Sequence, residues 1–260
     1  SRGHKTFYEV DASISDKENE LKAKVRLKGD RTIHFENPNK SSYKLDLKED
    51  SFFKNMNKFS LQIPRIRNYI HEWIYHKLLE EGKLVAINYD FYDVFINGQY
   101  KGYYALEEGF GKTLLERNKR RNGPIFSLFE EVKDDITKFE VYNENFWTSE
   151  ENLDVTQKAV QNINLLLSED VDPNDVIDVE KWAWFLAITD LTYTFHGALL
   201  KSVKFYYNPI NEKIEPIGYD GHRLLPNFSK NILQYKPDLN KTIYDLSKEQ
   251  GSFHWLKKIL

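Results

Sequence analysis

At 260 residues the chain is long enough to bury a core and a cleft, and 16 Tyr, 17 Phe and 5 Trp against 12 Gly and 8 Pro exclude a disordered chain. Its 37 basic and 40 acidic residues are interspersed and leave a formal charge of −3, so no global field draws nucleic acid or an anionic membrane. The absence of cysteine removes disulfides, zinc–thiolate sites and thiol nucleophiles together.

In chain order, "ELKAKVRLKGD" alternates Leu21, Ala23, Val25 and Leu27 against charged neighbours and predicts a half-buried strand running into a turn at Gly29-Asp30. "SYKLDLK" repeats the pattern, with Tyr43, Leu45 and Leu47 opposite Lys44, Asp46 and Lys48. After Pro64, "RIRNYIHEWIYHKLLEEG" sets Ile66, Tyr69, Ile70, Trp73, Ile74 and Leu78 at helical spacing and predicts a helix closing on Gly82. "YDFYDVFINGQYKGYYALEE" is a hairpin, because Asn97-Gly98 tolerates the positive φ angles of a two-residue turn.

Past Glu108 the character changes. "KTLLERNKRRNG" predicts a short basic helix, and residues 130–155 are acidic, aromatic and weakly periodic. A boundary near residue 110 is expected, with a sheet lobe over 1–110 and a mainly helical lobe over 111–260. Helices are expected at about 155–168 and 178–195, the second turning Trp182, Phe185, Ile188 and Leu191 inward, followed by a second hairpin, "KSVKFYYNPINEKIEPIGYD". No window reaches the roughly 18 apolar residues of a membrane span, and the polar start predicts no signal peptide. The close in "HWLKKIL", a helical pattern without a cap, reads as a piece of something longer.

Three features carry chemistry, each beside a plainer alternative. Lys44 is a strand lysine upstream of a helix bearing Glu72, the arrangement that positions a phosphate-binding lysine in phosphoryl-transfer enzymes; the alternative is a solvated lysine on an open sheet face. "HGALLKS" follows the long helix, and His196 suits a general base near neutral pH or a cap on helix carbonyls, while Ser202 is a poor ligand for Mg²⁺. Asp220, leaving a strand beside Gly221, is either a turn residue or a carboxylate that holds Mg²⁺.

Lys28-Gly29-Asp30, Arg67-Asn68, the Asn97-Gly98-x-Tyr100-x-Gly102 hairpin ending in Glu108, and Phe205-Tyr206-Tyr207 leading to Asp220 together resemble the spore coat protein H (CotH) kinase-like family, over about residues 21–221. The resemblance implies an α+β, two-lobed atypical protein-kinase-like fold. It pairs a mainly antiparallel sheet lobe carrying one helix with a helical lobe whose hairpin carries the metal-site aspartate. It implies ATP and Mg²⁺ as cofactors, protein hydroxyls as acceptors, and a spore-coat, envelope or extracellular setting, with a cytoplasmic one as the alternative. Carried over by residue, Asp220 takes the metal, with Ser202 in the place of the family's second ligand. Lys28, Lys44, Glu72, Glu107 and Glu108 belong to the nucleotide side, Glu107 to Gly109 lying near the adenine through backbone groups. The family's catalytic aspartate is replaced at its spacing by His196. The nearest upstream carboxylate, Asp190, serves as base only where the helix ends before it, and the β-branched residues of "TDLTYTF" allow that. The altered loop keeps a second reading open, a degenerate kinase fold that acts as a coat-assembly or cell-surface binding protein.

Overall fold

The computed structural model describes residues 7–15, 19–29, 31–48, 51–131, 136–168, 171–222, 242–248, 255, 256 and 259. Asp30 and most of the last forty residues lie outside these. The chain is α+β and divides into two compact units, residues 1–73 with 87–114, and residues 74–86 with 115–260. No helix among the described residues is long and apolar enough to cross a membrane.

The first unit is built on a six-stranded antiparallel sheet. Its strands are β1 (Val10–Ser15), β2 (Glu20–Leu27), β3 (Tyr43–Leu47), β4 (Lys58–Gln62), β5 (Tyr89–Ile96) and β6 (Gln99–Glu108), in the spatial order β1-β2-β3-β4-β6-β5. Alternation on β2 and β3 brings Ala23, Leu45 and Leu47 against Met56, Phe59 and Leu106, the unit's apolar core. Asn97 and Gly98 take φ of 51° and 76°, which closes the β5–β6 hairpin without splaying its strands. Strand β4 escapes the periodicity argument for a physical reason. It lies between β3 and β6, and its Ser60 and Gln62 are buried along with Phe59, so the polar-out alternation of a one-faced strand is absent.

Helix α1 (Ile70–Glu81) corrects the sequence expectation twice. Pro64–Arg67 form a separate 3₁₀ turn, and Asn68 and Tyr69 follow with φ of 54° and 56°, so the α-helix starts at Ile70. The buried residues are Glu72, Tyr75, His76 and Leu79 at i, i+3, i+4 and i+7, whereas Ile70 and Ile74 are exposed. The apolar count favoured the wrong face because the buried stripe carries a carboxylate and an imidazole.

The end of α1 also differs. Lys83, not Gly82, holds the left-handed position at φ 56°, with the Leu84 N–H bonding the Leu79 carbonyl and the Lys83 N–H bonding that of Glu80. A Cβ on Gly82 would stand 3.2 Å from Ile188 Cδ1, a tight contact that the end of that side chain would have to yield to.

The second unit contains the rest of α1, the short helices α2 (Lys112–Arg117), whose last residues belong here, and α3 (Glu144–Trp147), then α4 (Leu153–Ser168), α5 (Pro173–Val176), α6 (Val179–Thr192) and α7 (Ile243–Lys248). Its second, antiparallel sheet comprises β7 (Ile125–Glu131), β8 (Ile136–Val141), β9 (Lys204–Asn208) and β10 (Lys213–Ile217), ordered β10-β9-β7-β8. The weakly periodic stretch from residue 130 is therefore partly strand, and the unit is less helical than its composition implied. β7 hides from a period-2 reading because it buries Ile125, Phe126 and Leu128 nearly as a run.

Helix α6 is capped at its start by Asp178, whose side chain accepts the Lys181 N–H. It directs Trp182, Phe185 and Ile188 into the core, while Leu191, expected inside, is 70% exposed. The helix runs on to Thr192 and ends with Tyr193 at φ 56°, so it does not stop before Asp190.

Candidate functional site

In the first unit a charged cluster surrounds Glu107 on β6. Lys28 Nζ pairs with its Oε1, Gln62 Nε2 donates to its Oε2 at 2.7 Å, and Arg67 Nε lies 3.6 Å from the same oxygen. Burial opposes ionisation of Glu107, but the Lys28 and Arg67 cations and the hydrogen bonds from Lys28 and Gln62 outweigh it and hold the carboxyl at about 2. Burial lowers the Lys28 pKa, and the facing Glu107 carboxylate offsets part of that. The fully buried Glu72 also acts electrostatically on Lys28, whereas the sequence reading set the helix glutamate beside Lys44.

Lys44 stands in a different environment. It lies directly across from Arg26 in the β2–β3 register, and burial followed by the charges of Arg26, Lys28 and Lys58 lowers its pKa. Like charges directly opposite on a sheet destabilise it. A face that retains them is suited to an anion.

Glu108 is buried and accepts the Asn88 N–H at 2.7 Å. The Glu108 and Gly109 N–H groups are already spent on the Asn88 and Lys58 carbonyls. Of the backbone groups expected near an adenine, those two donors are therefore committed within the unit.

In the second unit, the turn after α6 and the exit of β10 bring three ligand-type side chains together. Among the described residues, His196, Asp220 and His222 form a group of metal-ligating type, with one ligand atom from each within 4.8 Å of the others. His222 Nδ1 lies 2.8 Å from Asp220 Oδ1 and His196 Nδ1 lies 3.4 Å from Oδ2. The two imidazoles stack at 4.0 Å with 30° between their planes, and His196 Nδ1 is also 3.0 Å from the Asp220 carbonyl. Ser202 Oγ is 3.4 Å from His196 Nδ1, which puts it beside the histidine.

Local backbone geometry makes the cluster. His196 sits in a 3₁₀ turn over Phe195–Ala198, and Asp220 adopts φ 59°, a left-handed conformation that aspartate tolerates better than most residues. Gly197, Gly218 and Gly221 all lie against the ring of Tyr75, which is fully buried. A side chain at Gly218 would meet the Tyr75 hydroxyl at 2.6 Å, and one at Gly221 would run into the ring itself.

Asp190 is not a member of this group. It remains in α6, accepts the Ile243 N–H at 2.5 Å, and has its pKa raised by burial. His222 has no role in the sequence reading. No local pattern marked it, because Asp220 is in the left-handed conformation at φ 59° and the strand alternation does not extend to His222.

Two imidazoles and one carboxylate are a donor set for a borderline divalent ion. Mg²⁺ prefers oxygen and is suited here by Asp220 alone. The protein is thus an α+β chain with a buried carboxylate–cation cluster in one unit and a His-Asp-His group in the other. A family model described as CotH kinase protein matches residues 25–260, and the chain belongs to that family. No curated protein matches it.

Proposed function

We propose that this protein is an atypical, two-lobed protein kinase that binds ATP with a divalent cation and transfers the γ-phosphoryl group to a protein hydroxyl. The observation that carries the reading is the family match across nearly the whole chain, which brings the kinase expectation to these residues. In the transfer, the bond from the γ-phosphorus to the bridging oxygen breaks, a bond to the acceptor oxygen forms, and the acceptor proton is released.

Lys28, held by Glu107 and within reach of the field of Glu72, takes the role of the phosphate-binding lysine. Lys44 and Arg26, opposed across β2 and β3, add the positive potential that a polyphosphate would relieve. Asp220 holds the cation, which when bound neutralises phosphate charge. The acceptor is a coat or surface protein, and the setting the cell envelope, spore coat or exterior.

Both expected bases have partners within the fold, Asp190 accepting the Ile243 N–H through Oδ1 and His196 facing Asp220. Phosphoryl transfer asks little of a base, because its loose transition state is served mainly by positioning and electrostatics. The same observation favours a second reading, a nucleotide-binding fold that acts as a binding protein.

Incubation with γ-labelled ATP and a casein-like acceptor tests the choice. Label on the acceptor or on the chain itself, lost in Asp220→Ala, is the expected result. Nucleotide binding with no label in any divalent salt would replace the kinase reading by the binding one.

A further inference from the structure

We propose that His196, Asp220 and His222 bind a divalent first-row transition ion of the Mn²⁺ to Zn²⁺ series in preference to Mg²⁺. The inference shares only Asp220 with the kinase reading, and it makes His196 a ligand, not a base.

The spacing supports coordination. Ligands held about 2.1 Å from one ion at octahedral or tetrahedral angles stand about 3.0–3.4 Å apart. The Asp220 oxygens lie 2.8 and 3.4 Å from the two Nδ1 atoms, so small adjustments bring both edges to a coordination polyhedron.

The donor chemistry then selects the ion. Imidazole nitrogen suits the transition series, whereas Mg²⁺ is reluctant to exchange water for nitrogen. A site with two histidines and one carboxylate also leaves positions for exogenous oxygen ligands, water or phosphate.

Burial and rigidity support the same conclusion. His196 and His222 are 6% and 7% exposed, while the Asp220 side chain is 18% exposed, which leaves the carboxylate side as the approach for an ion. The two ligand-bearing segments touch directly, since a Cβ on Gly197 would stand 3.2 Å from Gly221 Cα, and both rest on Tyr75. Glycines at these positions let the ligand-bearing backbones converge on one ring, which fixes ligand positions before an ion arrives.

The test uses the whole chain, freed of metal by a chelator and titrated with Co²⁺ alone, without nucleotide. Visible d–d absorption is expected to saturate at one Co²⁺ per chain and to survive a hundredfold excess of Mg²⁺. His222→Gln is expected to weaken Co²⁺ binding at least tenfold. No uptake by folded wild-type protein, displacement by equimolar Mg²⁺, or unchanged binding in folded His222→Gln would overturn the proposal.

If His222→Gln does not fold, pulsed electron paramagnetic resonance of Mn²⁺ on the wild type decides. Imidazole ¹⁴N modulation supports the site, and its absence overturns it. A Co²⁺ site without any ATP binding would remove the kinase reading and leave this one standing. ATP binding with Mg²⁺ and no Co²⁺ uptake would do the reverse.

Discussion

Glu107 is buried among Lys28, Arg67 and Gln62, and its role is therefore electrostatic before it is anything else. Replacing it by glutamine leaves two cations without their carboxylate in a poorly solvated place, a change that costs about 3–5 kcal/mol in comparable buried pairs. Urea unfolding at neutral pH is expected to register that loss. The sign with pH follows from the depressed acid: its folded pKa is about 2 against a reference of 4.5. Its stabilisation is complete above 4.5 and disappears as pH falls from there towards 2, so the difference between wild type and Glu107→Gln should close over that window. Lys44 is expected to behave oppositely. Its removal in Lys44→Met relieves repulsion from Arg26 and raises stability by up to about 1 kcal/mol at low salt, while reducing the thermal shift produced by ATP. A variant that is both less stable and unaffected in nucleotide binding would remove Lys44 from the anion face.

At the scale of elements, the ends of α1, α2 and α6 place Lys83, Lys119 and Tyr193 in the left-handed region. The exposed Lys83 closes α1 at φ 56°, where glycine has no Cβ to crowd the following carbonyl. Lys83→Gly is expected to raise stability by about 1 kcal/mol, read as a higher urea midpoint with an unchanged slope. Gly221→Ala drives a methyl into Tyr75 and is expected to cost about 1–3 kcal/mol and to weaken metal binding with it, because Asp220 and His222 flank that residue. Elements that bury one face were legible in the sequence: β2, β3 and the Asn97-Gly98 hairpin follow period and turn chemistry. β4 and β7 were not, because β4 buries Ser60 and Gln62 along with Phe59 and β7 buries Ile125, Phe126 and Leu128 nearly as a run, so neither shows the polar-apolar alternation that announces a one-faced strand. The buried face of α1 was misread for the complementary reason, since hydrophobicity cannot recognise a stripe formed by Glu72, Tyr75, His76 and Leu79.

For the whole molecule, the family resemblance was readable because turn residues and hairpins recur at fixed places, and the match over residues 25–260 carries that recognition. The composition of the site was only half readable. Asp220 was marked by its position at the exit of a strand, but His196 and His222 are 26 residues apart in sequence and meet only because Gly197 and Gly221 let their backbones touch. Likewise Lys28 and Glu107 form a buried pair across 79 residues that no local pattern encodes. The central claim is that this chain binds ATP through a divalent ion held at Asp220. Thermal unfolding at millimolar ATP, with Mn²⁺ and separately with Mg²⁺, tests it most directly on wild type and Asp220→Ala. The account predicts a rise of several degrees in the wild type that is larger with Mn²⁺ and absent in Asp220→Ala. An unchanged midpoint with both ions would contradict it.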